Sequence, residues 1–361
     1  MEEKGKKGRM DYTLLLIVVF LVVIGLVILY STSAYNGQVK FHDSFYYLKK
    51  QAFATVLGIV LMLFVAGMDY HIWQRLAVFG YLAAVALSVA VMLFGREING
   101  SKRWLALGPF SFQPSEFAKV ALILFLADLV TKNVKTIGKM WTLCRIMFWI
   151  LPIVGLVGAS NLSTAIIILG IGVILIFVAS PKYAQFALMG LAGACFMGIF
   201  LALESYRLER LAIWRNPEKY EKGYQTLQGL YAIGSGGVFG VGLGNSVQKL
   251  GFVPEAQNDM IFSIICEELG LAGAGIIVFL FLLLIWRFFM IASGSRDLFG
   301  ALIATGAMAH MMIQVILNIA VVTNTIPNTG ITLPFISYGG TSVMFLLIEM
   351  GLVLSVSQVV D

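Results

Sequence analysis

Residues 12–31 read YTLLLIVVFLVVIGLVILYS, twenty positions without a charge. A lipid hydrocarbon core about 30 Å thick is crossed by about 20 helical residues, and it offers no water to satisfy unpaired backbone groups. This stretch therefore predicts a membrane-spanning helix. It is long enough to span and has no small-residue cleavage site ahead of a soluble body, so it is expected to stay as the first helix of a bundle rather than leave as a signal peptide. Working outward, comparable runs recur at 51–68, 77–94, 115–131, 145–159, 162–180, 186–203, 262–291, 298–321 and 339–358, ten in all. The expected fold is an all-α polytopic membrane protein with about ten transmembrane helices, one membrane domain over 1–361. Composition agrees: 59% of residues are hydrophobic and 12% charged, against roughly 45–50% and about 25% in soluble domains.

The same composition excludes several classes. The net charge of +6 is scattered over short loops with no nucleic-acid motif, so no nucleic acid is expected as a partner. Cys144, Cys195 and Cys266 are odd in number and lie in or beside apolar runs, which indicates neither a disulfide framework nor a metal knuckle. His42, His71 and His310 are equally dispersed, and no Walker A loop or dinucleotide fingerprint occurs. Ten spans put both termini on one side. Lys4, Lys6, Lys7 and Arg9 make that side the cytoplasm, with a short-loop count of 12 Lys and Arg to 6. The expected location is the cytoplasmic membrane, with membrane lipid around the bundle.

The loop 204–261 then falls outside and is the one sizeable extramembrane feature expected, since other connections are short. Within it, Tyr206–Tyr220 carries Leu208, Leu211 and Trp214 at helical spacing with Arg207, Arg210 and Arg215 between them, a pattern suited either to the membrane interface or to a lid over the bundle. Gly234–Asn245, GSGGVFGVGLGN, allows close backbone approach. That suits either an amide-lined phosphate pocket or an irregular segment packed tightly on helices. The loop runs into the eighth span through Pro254-Glu255-Ala256-Gln257-Asn258-Asp259. Asp259 stands at the membrane boundary, where desolvation makes a carboxylate a better base. Position alone favours a helix cap.

Ionisable groups inside spans are costly and face a partner or a cavity. Glu116 and Lys119, three apart at the start of the fourth span, share a helical face and can pair. Glu267 and Glu268 open the eighth span, Glu349 within the tenth suits a polar contact between helices, and Asp128 and Arg287 lie near span ends where they can snorkel. A second loop, Pro327–Gly340, is too polar and too rich in Pro and Gly to be a membrane helix.

These segments, in this order, resemble the SEDS family of bacterial membrane glycosyltransferases, named for shape, elongation, division and sporulation. The matching pieces are NGSKRW at 99–104, QPSE at 113–116 with Lys119, Gly223-Tyr224-Gln225, IGSGG at 233–237, Pro254-Glu255, Asp259-Met260-Ile261-Phe262, EELG at 267–270 and LPFISYGG at 333–340. The resemblance implies polymerisation of lipid II, a disaccharide-pentapeptide on a polyprenyl pyrophosphate, at the outer face of the membrane. The family's essential aspartate falls on Asp259, which reverses the capping preference and makes Asp259 the catalytic residue, as base or as holder of a divalent cation, Mg or Mn. Lys102, Arg103, Lys119 and Arg210 become phosphate partners. Trp104, Glu116, Gln225, Glu255 and Ser337, in the matching motifs, complete the implied substrate-binding set. Gln257-Asn258 stands where many members carry His-Thr, which removes an imidazole relay but not the aspartate. The closing motif and Gly240–Asn245 resemble the division-type and sporulation branch, FtsW and SpoVE, more than the elongation-type RodA.

The rival functions are a lipid II flippase and a scaffold for a transpeptidase. Transporters carry broken helices at matching positions of two halves, and no such pair is legible here. Because the chain has no domain able to crosslink peptides, a class B penicillin-binding protein is the expected partner. Gly300, Ala301, Ala304, Gly306 and Ala307 on the ninth span form a small-residue face that suits either that partner's helix or packing within the bundle.

Overall fold

The computed structural model describes residues 8–98, 101–107, 110–187, 190 and 211–359. Helix α1 (Tyr12–Phe41) starts where Asp11 accepts the Leu14 N–H at 2.9 Å. Its 30 residues reach about 45 Å at 1.5 Å each, so its last turns project beyond the apolar layer. Helices α2 (Tyr46–Gly67) and α3 (His71–Phe94) follow, then a three-stranded antiparallel sheet of β1 (Arg96–Ile98), β2 (Ser101–Leu107) and β3 (Phe110–Phe112). After it come α4 (Pro114–Asn133), α5 (Met140–Ser160), α6 (Leu162–Ala179), α7 (Tyr224–Ser235), α8 (Ile261–Gly294), α9 (Leu298–Val322) and α10 (Gly340–Ser357).

Eight of the described helices are long and apolar enough to cross a membrane: α1, α2, α3, α5, α6, α8, α9 and α10. Helix α4 is as long as a span, but Glu116, Lys119, Asp128 and Lys132 dilute its apolarity. It can carry them because it is buried along most of its length. The predicted seventh span, 186–203, lies almost wholly outside the described residues. Large apolar side chains such as Phe20, Phe64, Phe79, Trp141 and Phe279 are exposed on the outer helices, as a lipid-facing surface requires. The α2–α10 seam is closed by small residues: a Cβ on Gly58 would meet Leu347 and one on Gly351 would stand 2.6 Å from the Met62 carbonyl.

The bundle has two distinct ends. At one, Gly8 N–H donates to the Gln358 carbonyl at 2.7 Å, Asp11 pairs with Arg287, and Tyr70 donates to Asp297. Gly8 and Gln358, near the two limits of the described residues, therefore meet at one end of the bundle. The other end gathers the β-hairpin, α7 and the loops 236–260 and 323–339. The hairpin adds to the sequence expectation, which held 204–261 to be the one sizeable extramembrane feature. It is tied down where Arg103 Nε donates to the Ser160 carbonyl at 3.0 Å and Thr341 donates to the Ser111 carbonyl at 2.8 Å.

Other expectations are corrected, and two that were open between alternatives are decided. Helix α8 does not run unbroken: Gly270 has φ 66° and ψ −169°, so Glu267 and Glu268 lie on a short segment, 261–269, ahead of the long one. The carbonyls freed at the break accept from Val241 and Gly242 N–H, both at 2.9 Å, while Leu271 and Ala272 N–H donate to Gly237 and Val238 carbonyls. The glycine-rich segment thus satisfies a broken membrane helix rather than presenting these amides to a phosphate. A Cβ on Gly240 would stand 2.2 Å from the Glu268 carbonyl oxygen, and no side chain fits there. The small-residue face of α9 is turned into the bundle: Ala304 and Ala307 are fully buried and a Cβ on Gly306 would meet Ile123. Asp128 does not snorkel but is buried between Gln74 and Lys132, and the exposed Lys132 carries the charge outward. The helical stretch expected over 206–220 is helical at 211–215 among its described residues and ends before Pro217.

Candidate active site

Asp259 occupies the last turn of the loop before α8. It does not cap that helix: Met260 is the N-cap residue and makes no side-chain capping bond. The capping alternative is thereby removed. Its half-buried carboxylate accepts from Gln225 Nε2 of α7 at 3.4 Å, and Gly330 of the facing loop lies against its other oxygen. Burial pushes its pKa up to about 6, with a further rise from the negative Glu255, while Gln225 and the Asp259 and Met260 amides oppose the shift. A carboxylate so placed is ionised at neutral pH yet markedly more basic than an ordinary aspartate.

Two loops are stitched together behind it. Ser337 donates to the Asn258 carbonyl at 2.6 Å and accepts from Leu333 N–H at 2.8 Å; Tyr338 N–H donates to the Gln257 carbonyl at 2.9 Å. Gln51 of α2 brackets the same turn, donating to the Ser337 carbonyl and accepting from Gly339 N–H. From the far end of α1, Asn36 donates to Gln257 Oε1 at 3.0 Å, so the Gln-Asn pair ahead of the aspartate serves as an anchor. Trp214 and Asn324 exchange bonds through each other's carbonyls, which holds residues 211–215 against the loop after α9.

Of the sequence-predicted residues, Gln225, Glu255 and Ser337 gather at Asp259, with Glu255 accepting from Asn258 at 2.9 Å. Ser337 is buried with its hydroxyl committed in both directions. Glu116 and Lys119 form the expected pair at 3.1 Å, with Lys119 only 2% exposed. Ser342 donates to Glu116, and Lys119 donates to Gln314 Oε1. Lys102, Arg103 and Trp104 lie on β2 at the same end of the bundle. Alternation along the strand sends Lys102 and Trp104 to one face and Arg103 to the other; Lys102 is exposed, and Arg103 is engaged with Ser160. Arg210 lies outside the described residues.

The sequence did not single out Asn36, Gln51, Gln314 or Asn318, and it treated His310 as isolated. Yet His310, Gln314 and Asn318 are spaced four apart in an otherwise apolar span, a polar stripe on one helical face. Glu349 of α10 makes the expected interhelical contact, with His310 Nδ1 at 2.8 Å.

Among the described residues no group of three acids, histidines or cysteines could cage a metal. Asp259 and Glu255 are nonetheless hard oxygen donors close enough to interact. Carboxylates are the donor type that a Mg-type cation takes, one or two at a time, with substrate phosphates completing the shell.

A family profile described as "Cell cycle protein", FtsW/RodA/SpoVE, matches residues 12–361. The chain is 40% identical to Stage V sporulation protein E of Bacillus subtilis (strain 168), covering 98% of each. It is 35% identical to a probable peptidoglycan glycosyltransferase FtsW of Trichlorobacter lovleyi, covering 96% of this chain and 93% of the other. Among solved structures, one described as "Structural coordination of polymerization and crosslinking by a peptidoglycan synthase complex" matches with TM-score 0.83 and 30% identity, over 96% of this chain and 97% of the other. The rod shape determining protein RodA of Thermus thermophilus matches at TM-score 0.72 and 28% identity, over 96% of each chain.

Proposed function

Because the chain belongs to the FtsW/RodA/SpoVE family of membrane proteins, we propose that it is a peptidoglycan glycosyltransferase that extends glycan strands from lipid II, with Asp259 as its general base. The observation that carries this reading is one carboxylate of raised basicity, held by Gln225 and open to one end of the bundle. In the reaction an acceptor-sugar oxygen bonds to the anomeric carbon of the donor and the bond from that carbon to the pyrophosphate oxygen breaks. The acceptor hydroxyl's proton passes to the Asp259 carboxylate, and the electron pair leaves with polyprenyl pyrophosphate. Proton removal and leaving-group charge are the two demands on the site.

Asp259 meets the first. Lys102, exposed on the hairpin, is the cation offered to the second, while Arg103, on the other face of the strand, anchors the hairpin to Ser160. In the alternative in which Asp259, with Glu255 near it, holds a Mg or Mn ion, that ion would supply neutralisation of leaving-group charge. Lys119, paired in the bundle, supports the site from beneath instead of reaching the pyrophosphate.

The excess of Lys and Arg near Arg9, Lys132 and Lys139 supports a bacterial cytoplasmic membrane protein with both termini in the cytoplasm and Asp259 facing outward, where the wall is built. The crosslinking partner is a single-span class B penicillin-binding protein, a reading supported by the match to a peptidoglycan synthase complex that couples polymerization and crosslinking. A flippase is disfavoured because, among the described spans, α8 alone has non-helical backbone inside it, with no matching break in the other half. The test is purified protein, with its partner, incubated with lipid II in detergent. Glycan polymer on a gel supports the enzyme, and movement of lipid II across vesicles without polymer supports the flippase.

A further inference from the structure

Asn318 of α9 is fully buried, and its Nδ2 donates both to the carbonyl of Asp259 itself, at 2.9 Å, and to the Ile331 carbonyl of the facing loop, at 2.7 Å. One amide thus joins the peptide of the base to the wall opposite it. One turn earlier, Gln314 Nε2 donates to the Thr332 carbonyl at 3.0 Å. That bond fixes which way the Gln314 amide points, leaving Oε1 to accept from Lys119 Nζ at 3.3 Å and from His310 Nε2 at 2.9 Å. His310 must therefore donate through Nε2, and its Nδ1 faces Glu349 at 2.8 Å. The stripe runs from a buried ionic pair in the membrane to the peptide of the base.

Packing does not account for Asn318. Its Oδ1 is buried with no partner among the described residues, and an unmatched buried acceptor costs stability. What the residue supplies is its pair of N–H groups, both spent on carbonyls of the site. Resting on the assignment of Asp259 as base, we propose that Asn318, with Gln314 and His310 behind it, is a positioning residue that holds the Asp259 carboxylate at its working distance from the acceptor hydroxyl. Displacement of a catalytic group by about 1 Å costs about 10²-fold in rate. The stripe lets the bundle interior set that distance.

The test is Asn318→Leu, which keeps the volume and loses both N–H groups, assayed in the full-length protein with its partner and lipid II. The expected result is a fall in kcat of about 10²-fold with KM for lipid II little changed. Ser163→Ala, which removes a bond to the Thr329 carbonyl of the same loop but none to Asp259, should keep the parental kcat. If Asn318→Leu does not give folded protein, Asn318→Ser keeps one donor and should show the same fall in kcat in smaller measure, with KM again little changed. An unaltered kcat overturns the proposal. So does a fall in rate that tracks the thermal midpoint, or one in which KM rises as kcat falls, which marks a purely structural residue. Undiminished polymerisation by Asp259→Ala overturns the base assignment instead, whatever Asn318 does.

Discussion

Asp259 shows how far one residue's environment sets its chemistry. Burial and the charge of Glu255 raise its pKa to about 6, while an unperturbed aspartate titrates at about 3.9. Polymerisation should therefore fall as pH drops through about 6, and a kcat/KM profile with its acid limb near 4 would remove the desolvated base from the account. The same shift has a stability consequence. A raised folded pKa favours the fold below the unfolded value of about 3.9, and that contribution is lost as pH rises through about 6. Asp259→Asn should accordingly match or exceed the parent's thermal midpoint at pH 7.5, with the difference closing as pH is lowered from 6 to 4. A variant clearly less stable than the parent at pH 7.5 would mean that the carboxylate is structural after all.

The elements explain why polar groups sit deep in an apolar bundle. Glu116 and Lys119 look like a simple pair in sequence, and a simple pair tolerates exchange of its charges. Here Gln314 Oε1 accepts from Lys119 while its Nε2 is held by the Thr332 carbonyl, so exchanging the charges would set a carboxylate at position 119 against the amide oxygen, whereas the Ser342 hydroxyl, which donates to Glu116, could accept from a lysine at 116. Glu116→Lys with Lys119→Glu is thus expected to lose thermal stability. Lys119→Met, which leaves Glu116 without its cation, should cost about 3–5 kcal/mol, read from thermal unfolding in detergent. Recovery of parental stability in the exchanged protein would contradict the bonding described. The break in α8 is equally specific. A Cβ on Gly270 would stand 2.3 Å from Gly240 N, and the backbone there, φ 66° and ψ −169°, is a conformation essentially confined to glycine that costs another residue about 1–3 kcal/mol before any clash. Gly270→Ala should lower the thermal midpoint and activity together; a variant indistinguishable from the parent would show that the glycine-rich segment does not need this contact.

At the scale of the whole molecule, hydrophobic runs made the bundle legible because a helix that spans a membrane demands about 20 apolar residues whatever it packs against. The site was legible only through its motif. Nothing about Asp259 in isolation separated a base from a helix cap; that distinction needed Met260 in the cap position and Gln225 brought from α7. Long-range closure was hidden for the same reason. Asn318 and Ile331, Asn36 and Gln257, and Gln51 and Gly339 meet only once the helices are packed. The break at Gly270 was masked because the run stays apolar on both sides of Glu267 and Glu268, and the β-hairpin by a loop too short to stand out. The central claim is that this bundle exists to hold one basic carboxylate at the outer face for glycan extension. The direct measurement is lipid II polymerisation by the purified complex with its crosslinking partner, comparing the parent with Asp259→Ala at equal folded concentration. The account predicts glycan strands from the parent and none from the variant at an unchanged thermal midpoint. Strands formed by the variant at the parental rate would contradict it.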